Sequence, residues 1–315
     1  MQSQLKTNTS IHNLNADKKL SISGKVIWIL INLINNNYFP NKADSLCVKN
    51  FCPEIDDEDW EKIQIKSSPS RAISDLFWLK LDWEAIKSEL GSINVFDTGA
   101  GKGEYALKIN DFAKGISKYC GVDLYQHKEW EFMREHNFIT MKQMNSNNIL
   151  AEIPNKTNFF MSQSAIEHFE NDLLYFDQIK NFINKTGNNT IQVHLLPSAA
   201  CLKLYLLHGV RQYTPKTIST IVQLFKSQNT YSMLFKLGGK NCNNLHYQFI
   251  THPLFTKKED WRDSKTEEYR DRLKIAVEND IEHRNYRPSF YALVIHSNFD
   301  KPIFKEMKRL TRHYT

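Results

Sequence analysis

Short apolar runs alternate with amphipathic stretches through most of the chain. Runs rich in Val, Ile and Phe predict buried strands, whereas apolar residues spaced three and four positions apart predict helices. Strands are predicted at 93–96, 119–123, 138–144, 158–164, 190–196 and 289–296, with a partner for the last near 231–237 or elsewhere. Helices are predicted between them, at 105–114, 128–136, 173–183 and 216–226. Strands that alternate with helices indicate an α/β fold with a mostly parallel sheet.

The pattern changes outside this α/β region. Residues 1–20 are polar and lack periodicity, which predicts a disordered arm. Residues 21–90 are expected to form a helical segment ahead of a domain at 91–315. Within that domain we expect a helical insertion at 199–288, with a loop at 249–259. The helices predicted in these outer regions lie at 21–37, 72–80, 83–90 and 265–279.

Three glycines alternate directly after the first predicted strand of the α/β domain. Gly99, Gly101 and Gly103 precede the helical pattern that opens at Glu104. Glycines at this point allow a sharp turn and bring backbone N–H groups close to a ligand. Asp123 lies at the tip of the next predicted strand, where its carboxylate can accept hydrogen bonds from both hydroxyls of a ribose. The two signals together predict a nucleotide-like ligand at the carboxyl ends of the strands.

The spacing of the glycines and a nearby acid distinguish among nucleotides. A dinucleotide site favours G-x-G-x-x-G, whereas glycine here occupies every second position from Gly99 to Gly103, and Asp97 lies two residues earlier. A carboxylate beside the loop repels phosphates but suits an ammonium and a sulfonium. The pattern resembles motif I of class I S-adenosylmethionine (SAM)-dependent methyltransferases, and Asp123 matches the acid of their motif II. The resemblance covers 93–196 and implies SAM as cofactor and a Rossmann-like methyltransferase sheet with helices on both faces.

The same resemblance implies further cofactor contacts. Leu124 follows the motif II acid, and Asn145 or Ser146 would meet the adenine, although the family more commonly has an acid there. Ser164, after the fourth predicted strand of the domain, would lie under the adenine or the methionine. Arg71, in the loop before a predicted helix, would hold the methionine carboxylate; the alternative is a surface ion pair.

Methyl transfer from a sulfonium is an in-line displacement that mainly requires alignment of the acceptor with the methyl carbon. A hydroxyl acceptor also benefits from a nearby base, and histidine titrates near neutral pH. The candidate bases are His168, His194 and His208, and we favour His208 because it lies in the expected insertion.

Contacts to the acceptor are expected from two segments. The resemblance places Glu167 beside donor and acceptor, while Arg211 and Tyr213 lie in the expected insertion. Arg211 suits an anionic group such as a phosphate or a sugar carboxylate. Alternatively, His208 and Arg211 only tie the insertion to the domain.

Short stretches at 68–78 and 208–213 resemble methyltransferases encoded with bacterial surface-polysaccharide genes. That likeness implies O-methylation of a sugar or sugar phosphate on a glycan or its precursor. A small-molecule or lipid-linked acceptor of another kind is the alternative.

Composition narrows the partners and the compartment. The net charge of +6 is not clustered, and without a zinc-finger pattern or arginine-rich tract it argues against nucleic acid. Five scattered cysteines indicate reduced thiols in the cytoplasm, and Cys47 and Cys52 lack the second pair of a zinc site, so no metal is expected. The apolar run 26–34 is too short to span a membrane. It is interpreted as part of a buried cap, or as a helix that rests on a membrane surface.

Three other classes of protein are disfavoured. An NAD-dependent epimerase or reductase needs a Tyr-x-x-x-Lys pair after the nucleotide fold, but Tyr38 and Lys42 lie before it. A nucleic-acid methyltransferase usually has an Asn-Pro-Pro-Tyr-like or Cys-based tetrapeptide after the fourth strand, and residues 162–165 fit neither. A non-catalytic SAM-fold module would blunt the glycine loop, which is intact here.

Overall fold

A single mixed sheet organises the computed structural model. The structure describes residues 21–38, 45–204, 211–226, 229–283, 287–307 and 310–311. Within these residues eight strands pair in the order β1-β7-β8-β6-β5-β2-β3-β4. The strands are β1 Leu46–Asn50, β2 Asn94–Thr98, β3 Lys118–Asp123, β4 Ile139–Gln143, β5 Phe159–Gln163, β6 Thr190–Pro197, β7 Thr230–Leu237 and β8 Phe290–Ser297. Strand β8 is antiparallel to β6 and β7, and the remaining pairs are parallel.

Helices cover both faces of the sheet. They are α1 Ile22–Tyr38, α2 Asp57–Glu61, α3 Pro69–Lys80, α4 Trp83–Leu90, α5 Glu104–Phe112, α6 Trp130–Arg134, α7 Asp172–Thr186, α8 Pro215–Leu224, α9 Lys240–His246, α10 His252–Lys257, α11 Trp261–Ser264, α12 Thr266–Glu282 and α13 Ile303–Glu306. One core cluster joins α3, α4, α5, α9 and α12 to the sheet, and a second joins α7 and α8 to its other face. The predicted Rossmann-like α/β fold is therefore confirmed.

The strand order reverses between β2 and β5, which fixes the position of the site. From β2 the chain moves outward to β3 and β4, and it then returns to place β5 on the opposite side of β2. Ligands of open α/β sheets bind outside the carboxyl ends of the strands at such a reversal. The glycine loop after β2 lies at this reversal, at the carboxyl end of its strand.

The sequence predicts a helical segment at 21–90, but the structure also contains a strand there. Strand β1 pairs in parallel with β7 and forms one edge of the sheet, opposite the edge formed by β4. Helix α3 begins with Ser68 as its cap and Pro69 in its first turn, and its apolar face is completely buried. Strand β1 and helix α3, both within this segment, therefore share the sheet and the core of the α/β region.

The stretch expected as an insertion, 199–288, contains both helices and a sheet strand. Its β7 pairs with β8, which confirms the partner predicted near 231–237. The loop predicted at 249–259 is wrong, because a π-helical turn at Tyr247–Thr251 continues directly into α10. Phe249 and Ile250 are buried in the core, so packing holds this segment helical.

Helix α1 exposes apolar side chains along one side. The exposed fractions of six of them range from 40% to 84%, for Ile22, Val26, Ile27, Leu30, Leu33 and Ile34. Trp28 is buried, so the opposite side of the helix packs on the protein. No helix in the described ranges combines the length and apolar character needed to cross a membrane. Contact of 26–34 with a membrane surface stays a prediction.

Candidate functional site

The glycine loop has one packed side and one open side. Gly99 has a φ of +76°, and a Cβ added to it would lie 2.3 Å from the Cβ of Ala165 in the loop after β5. Gly101 has a φ of +54°, and a Cβ there would meet nothing within 4 Å. Gly99 therefore lets two loops touch, while the backbone at Gly101 faces open space where a ligand can approach it.

Hydrogen bonds hold this loop against β3 and α6. The Gly99 and Ala100 N–H groups donate to the Val122 carbonyl over 2.8 and 3.0 Å. The Trp130 indole N–H donates to the Gly101 carbonyl over 2.7 Å. Gly103, also at positive φ, then starts α5. The open face at Gly101 is thus fixed in position before any ligand binds.

Asp123, predicted to hold a ribose, lies beside this open face. Its Oδ2 accepts a hydrogen bond from the Gly101 N–H over 2.9 Å, and its Oδ1 accepts from the Tyr125 N–H over 3.0 Å. A carboxylate offers about four acceptor positions, so both oxygens can accept a further bond from a ligand hydroxyl. The Leu124 side chain beside it is 50% exposed. The predicted pair of glycine loop and acid is close together in space.

Asp97 is buried one strand over, with half of its carboxylate unpaired. Its side chain is 2% exposed, and its Oδ2 accepts a hydrogen bond from the Tyr119 hydroxyl. Its Oδ1 has no hydrogen-bond partner among the described residues. The pKa of Asp97 is raised to about 7, mainly by burial and also by the charge of nearby Asp123, while the Tyr119 hydrogen bond and the charge of Arg71 act in the opposite direction. An unpaired buried carboxylate oxygen fits a cationic ligand group.

Arg71 lies in the first turn of α3, next to the start of α5. Its guanidinium carbon is 5.3 Å from the ring centroid of Tyr105. Its positive charge lowers the pKa of Asp97 and of Glu167, although burial dominates at both and raises them. The structure therefore places Arg71 beside Tyr105, two residues after Gly103, as a cation at the edge of the candidate site.

The loop after β5 is strained and contains a second buried acid. Ser164 has a φ of +53°, which a residue with a side chain rarely adopts. Its hydroxyl donates to Glu167 Oε1 over 2.6 Å, and Glu167 Oε2 has no partner in the described chain. Glu167 is 2% exposed, and burial raises its pKa. His168 next to it is exposed at the surface.

His194 lies in the core, which corrects the expectation of a base at the end of β6. Its side chain is 0% exposed and contacts the rings of Tyr175 and Phe176, on the face covered by α7. Its Nδ1 shares a hydrogen bond of 3.0 Å with the Ser162 hydroxyl. Burial lowers the pKa of His194 to about 3, so the ring is neutral. No acceptor reaches it there.

Arg211 and Tyr213 form an internal network, which corrects their expected role as acceptor contacts. The Arg211 guanidinium donates to the Phe169 carbonyl over 3.0 Å and lies 3.7 Å from a carboxylate oxygen of Asp172. The Tyr213 hydroxyl donates to that same carboxylate over 2.8 Å. Both side chains are buried, so they tie the segment after β6 to the start of α7. His208, the favoured base, lies outside the described residues.

Asn145 and Ser146 follow β4, at the same edge of the sheet as Asp123. The Asn145 side chain is exposed and accepts a hydrogen bond from the Asn147 N–H over 2.9 Å, which caps a short 3₁₀ turn. The Ser146 carbonyl accepts from the Gln178 side chain over 3.1 Å. Their predicted adenine contact stays a prediction.

Two residues that hold this site together carry no signal in the sequence pattern. Tyr119 donates to Asp97, and Asp75 in α3 accepts a hydrogen bond from Tyr105. Each lies within an apolar stretch of a strand or helix, where a core residue is the ordinary interpretation. Tyr119 is paired with the neighbouring strand and Asp75 with another helix, and only the structure shows these pairs.

Comparisons with known proteins give fold likeness at low identity. No family model matches the chain, and no curated protein is similar to it. The plantazolicin methyltransferase BamL, crystallised with a desmethylPZN analog and SAH, is 12% identical over 73% of this chain and 86% of its own, with a TM-score of 0.45. SAM-dependent methyltransferases from Archaeoglobus fulgidus and Mesorhizobium loti are 16% and 13% identical, with TM-scores of 0.44 and 0.41. They cover 77% and 68% of this chain and 100% and 95% of their own. These likenesses are weak, and the function proposed below is supported by this chain's own residues.

Proposed function

We propose that the chain is a SAM-dependent methyltransferase. The observation that supports this best is the open backbone at Gly101, with the Asp123 carboxylate 2.9 Å from its N–H. A ribose that approaches this face meets an acceptor for each of its two hydroxyls. The Asp123 carboxylate disfavours a phosphate at this face, because the negative charges of the two groups would repel each other at short range.

The residues around the loop also fit the amino-acid end of SAM. That end carries an ammonium and a carboxylate, and the site offers an unpaired oxygen of Asp97 and the cation of Arg71. The acid Asp97 suits the ammonium of this zwitterion, and the cation of Arg71 suits its carboxylate. When bound, SAM supplies an electrophilic methyl group on a sulfonium. The chain's own residues would bind and orient SAM. The buried acids Asp97 and Glu167 would favour its positively charged groups.

The proposed acceptor is a hydroxyl of a sugar or sugar phosphate, in a bacterial surface glycan or its precursor. Its support is the resemblance of 68–78 and 208–213 to polysaccharide-linked methyltransferases. Arg211 is engaged inside the protein, so an anionic acceptor group would need another partner. Exposed His168 remains a candidate base beside the site. A small-molecule or lipid-linked acceptor of another kind is the alternative, and we propose that the enzyme acts in the cytoplasm.

Replacing Asp123 with alanine tests the cofactor assignment. Each charge-assisted hydrogen bond contributes about 1.5–3 kcal/mol, so loss of both ribose contacts should weaken binding of S-adenosylhomocysteine by about 100-fold or more. Titration calorimetry measures the affinity, and Asp111→Ala, which removes an exposed acid from α5, is the control. Equal affinity of the Asp123 variant and the wild type would contradict the ribose contact.

Turnover separates an enzyme from a binding module of the same fold. The full chain is incubated with SAM carrying a radiolabelled methyl group and a panel of nucleotide sugars, oligosaccharides and lipid-linked sugars. Label in a sugar product supports the proposed acceptor, and label in another compound of the panel supports the alternative. Binding of SAM without transfer to any of them favours the non-catalytic module.

A further inference from the structure

A completely buried acid joins helix α3 to the helix that follows the glycine loop. Asp75 in α3 is 0% exposed. One of its oxygens accepts a hydrogen bond from the Tyr105 hydroxyl, and the other accepts from the Lys108 ammonium over 2.7 Å. Both partners belong to α5. A charge buried this deeply is tolerated because both of its oxygens are paired, and the geometry of the three groups is therefore tightly fixed.

Tyr105 connects this buried acid to Arg71. The Arg71 guanidinium carbon lies 5.3 Å from the centroid of the Tyr105 ring, and the Lys108 side-chain nitrogen lies 5.1 Å from the same centroid. Burial and the charge of Asp75 raise the pKa of Tyr105 well above its ordinary value, so the hydroxyl stays a donor. A guanidinium over a tyrosine ring is held by cation–π attraction. The ring can orient Arg71 only while its own position is fixed.

Arg71 and Asp75 are separated by one turn on the same side of α3. Residues four apart on a helix lie one above the other, so the buried pair and the guanidinium form a column along α3. Asp75, at one end of this column, is held to α5 by its bonds with Tyr105 and Lys108. Arg71 at the other end lies close enough to Asp97 and Glu167 to lower the pKa of each.

We propose that Asp75 and Tyr105 are positioning residues, which hold Arg71 ready for the carboxylate at the amino-acid end of the cofactor. This inference rests on the proposed SAM function. A long arginine side chain loses rotamer freedom when it binds a carboxylate, which weakens affinity. The Asp75–Tyr105 pair removes that freedom in advance, so the pair should affect only ligands that carry the carboxylate.

Two ligands that share a nucleoside test this directly. S-adenosylhomocysteine carries the amino-acid end, whereas 5′-methylthioadenosine lacks it. In Tyr105→Phe, which keeps the ring and removes the hydroxyl, we expect affinity for S-adenosylhomocysteine to fall by about three- to tenfold. Affinity for 5′-methylthioadenosine should change less than twofold. Asp75→Asn should give the same selective loss, and Arg71→Ala a larger one. Calorimetry with the full chain measures both constants.

Tyr269→Phe is the matched control for loss of a buried tyrosine hydroxyl. The Tyr269 hydroxyl donates to the Ser67 carbonyl beside the cap of α3, and no described contact joins it to Asp75 or Arg71. This variant should lower the melting temperature yet leave the ratio of the two affinities unchanged. If Tyr105→Phe lowered the affinity for both ligands equally, or lowered neither affinity, the positioning role would be overturned. A wild type that binds neither ligand would instead overturn the proposed function.

Discussion

Replacing Gly99 with alanine should lower the free energy of unfolding by about 2–5 kcal/mol. The new methyl group would lie 2.3 Å from the Cβ of Ala165, so the loops after β2 and β5 must separate. Overpacking of this kind costs about 1–3 kcal/mol, and a residue with a side chain at positive φ adds about 1–2 kcal/mol. Because the displaced loop also forms the open face at Gly101, cofactor binding should weaken in parallel. Urea denaturation and calorimetry measure the two effects.

Gly187→Ala separates the steric term from the backbone term. Gly187 has a φ of +67° and a ψ of 8°, in the left-handed region, and a Cβ there would meet nothing within 4 Å. This variant should therefore lose only the cost of the positive φ, about 1–2 kcal/mol. Adding Ala165→Gly to the Gly99 variant should recover the steric part. Equal losses in Gly187→Ala and Gly99→Ala would show that the two loops do not touch.

Replacing Asp97 with asparagine should stabilise the protein at pH 8 and weaken its cofactor binding. The pKa of Asp97 is raised to about 7 from an ordinary value of 3.8. Between these values the folded state holds the proton more tightly than the unfolded state, so wild-type stability falls as pH rises through this window. The loss approaches about 4 kcal/mol at pH 8, at 1.36 kcal/mol for each unit. Asparagine avoids this loss and can still accept from Tyr119.

Thermal unfolding at pH 4, 6 and 8 measures this effect. The difference in melting temperature between Asp97→Asn and the wild type should grow steadily with pH. Asp111→Asn, at an exposed position of α5, should show no such growth. At pH 8 the affinity of the Asp97 variant for S-adenosylhomocysteine should fall more than tenfold, because the ammonium loses its counter-charge. A stability difference that is constant with pH would contradict the raised pKa.

The parts of the site predicted well from sequence are those encoded locally. Gly99, Gly101 and Asp123 belong to short segments, each a strand end followed by a turn, whose conformation depends on neighbouring residues. The order β2, β3, β4 follows from the alternation of strands and helices. Local residue types therefore sufficed to predict that the loop and the acid meet at one edge of the sheet.

The parts that sequence could not predict depend on partners far along the chain. His194 lies on a strand buried on both faces, so the alternation of its neighbours shows no solvent side. Arg211 and Tyr213 have the composition of a ligand site, but Asp172 pairs with both of them inside the protein. Strand β1, with the sequence Leu-Cys-Val-Lys-Asn, has its strand conformation stabilised by pairing with β7, which lies far along the chain.

The outermost position of β1 affects what happens if the chain is shortened. Strand β7 is an eight-residue strand rich in apolar side chains, and β1 covers its outer row of backbone N–H and C=O groups. A chain cut before residue 91 would leave that row open to strands of other molecules, which is a known route to aggregation. It would also remove α3 from the interior. The change of sequence pattern near residue 90 is therefore no place to divide the protein, and a shortened chain should precipitate.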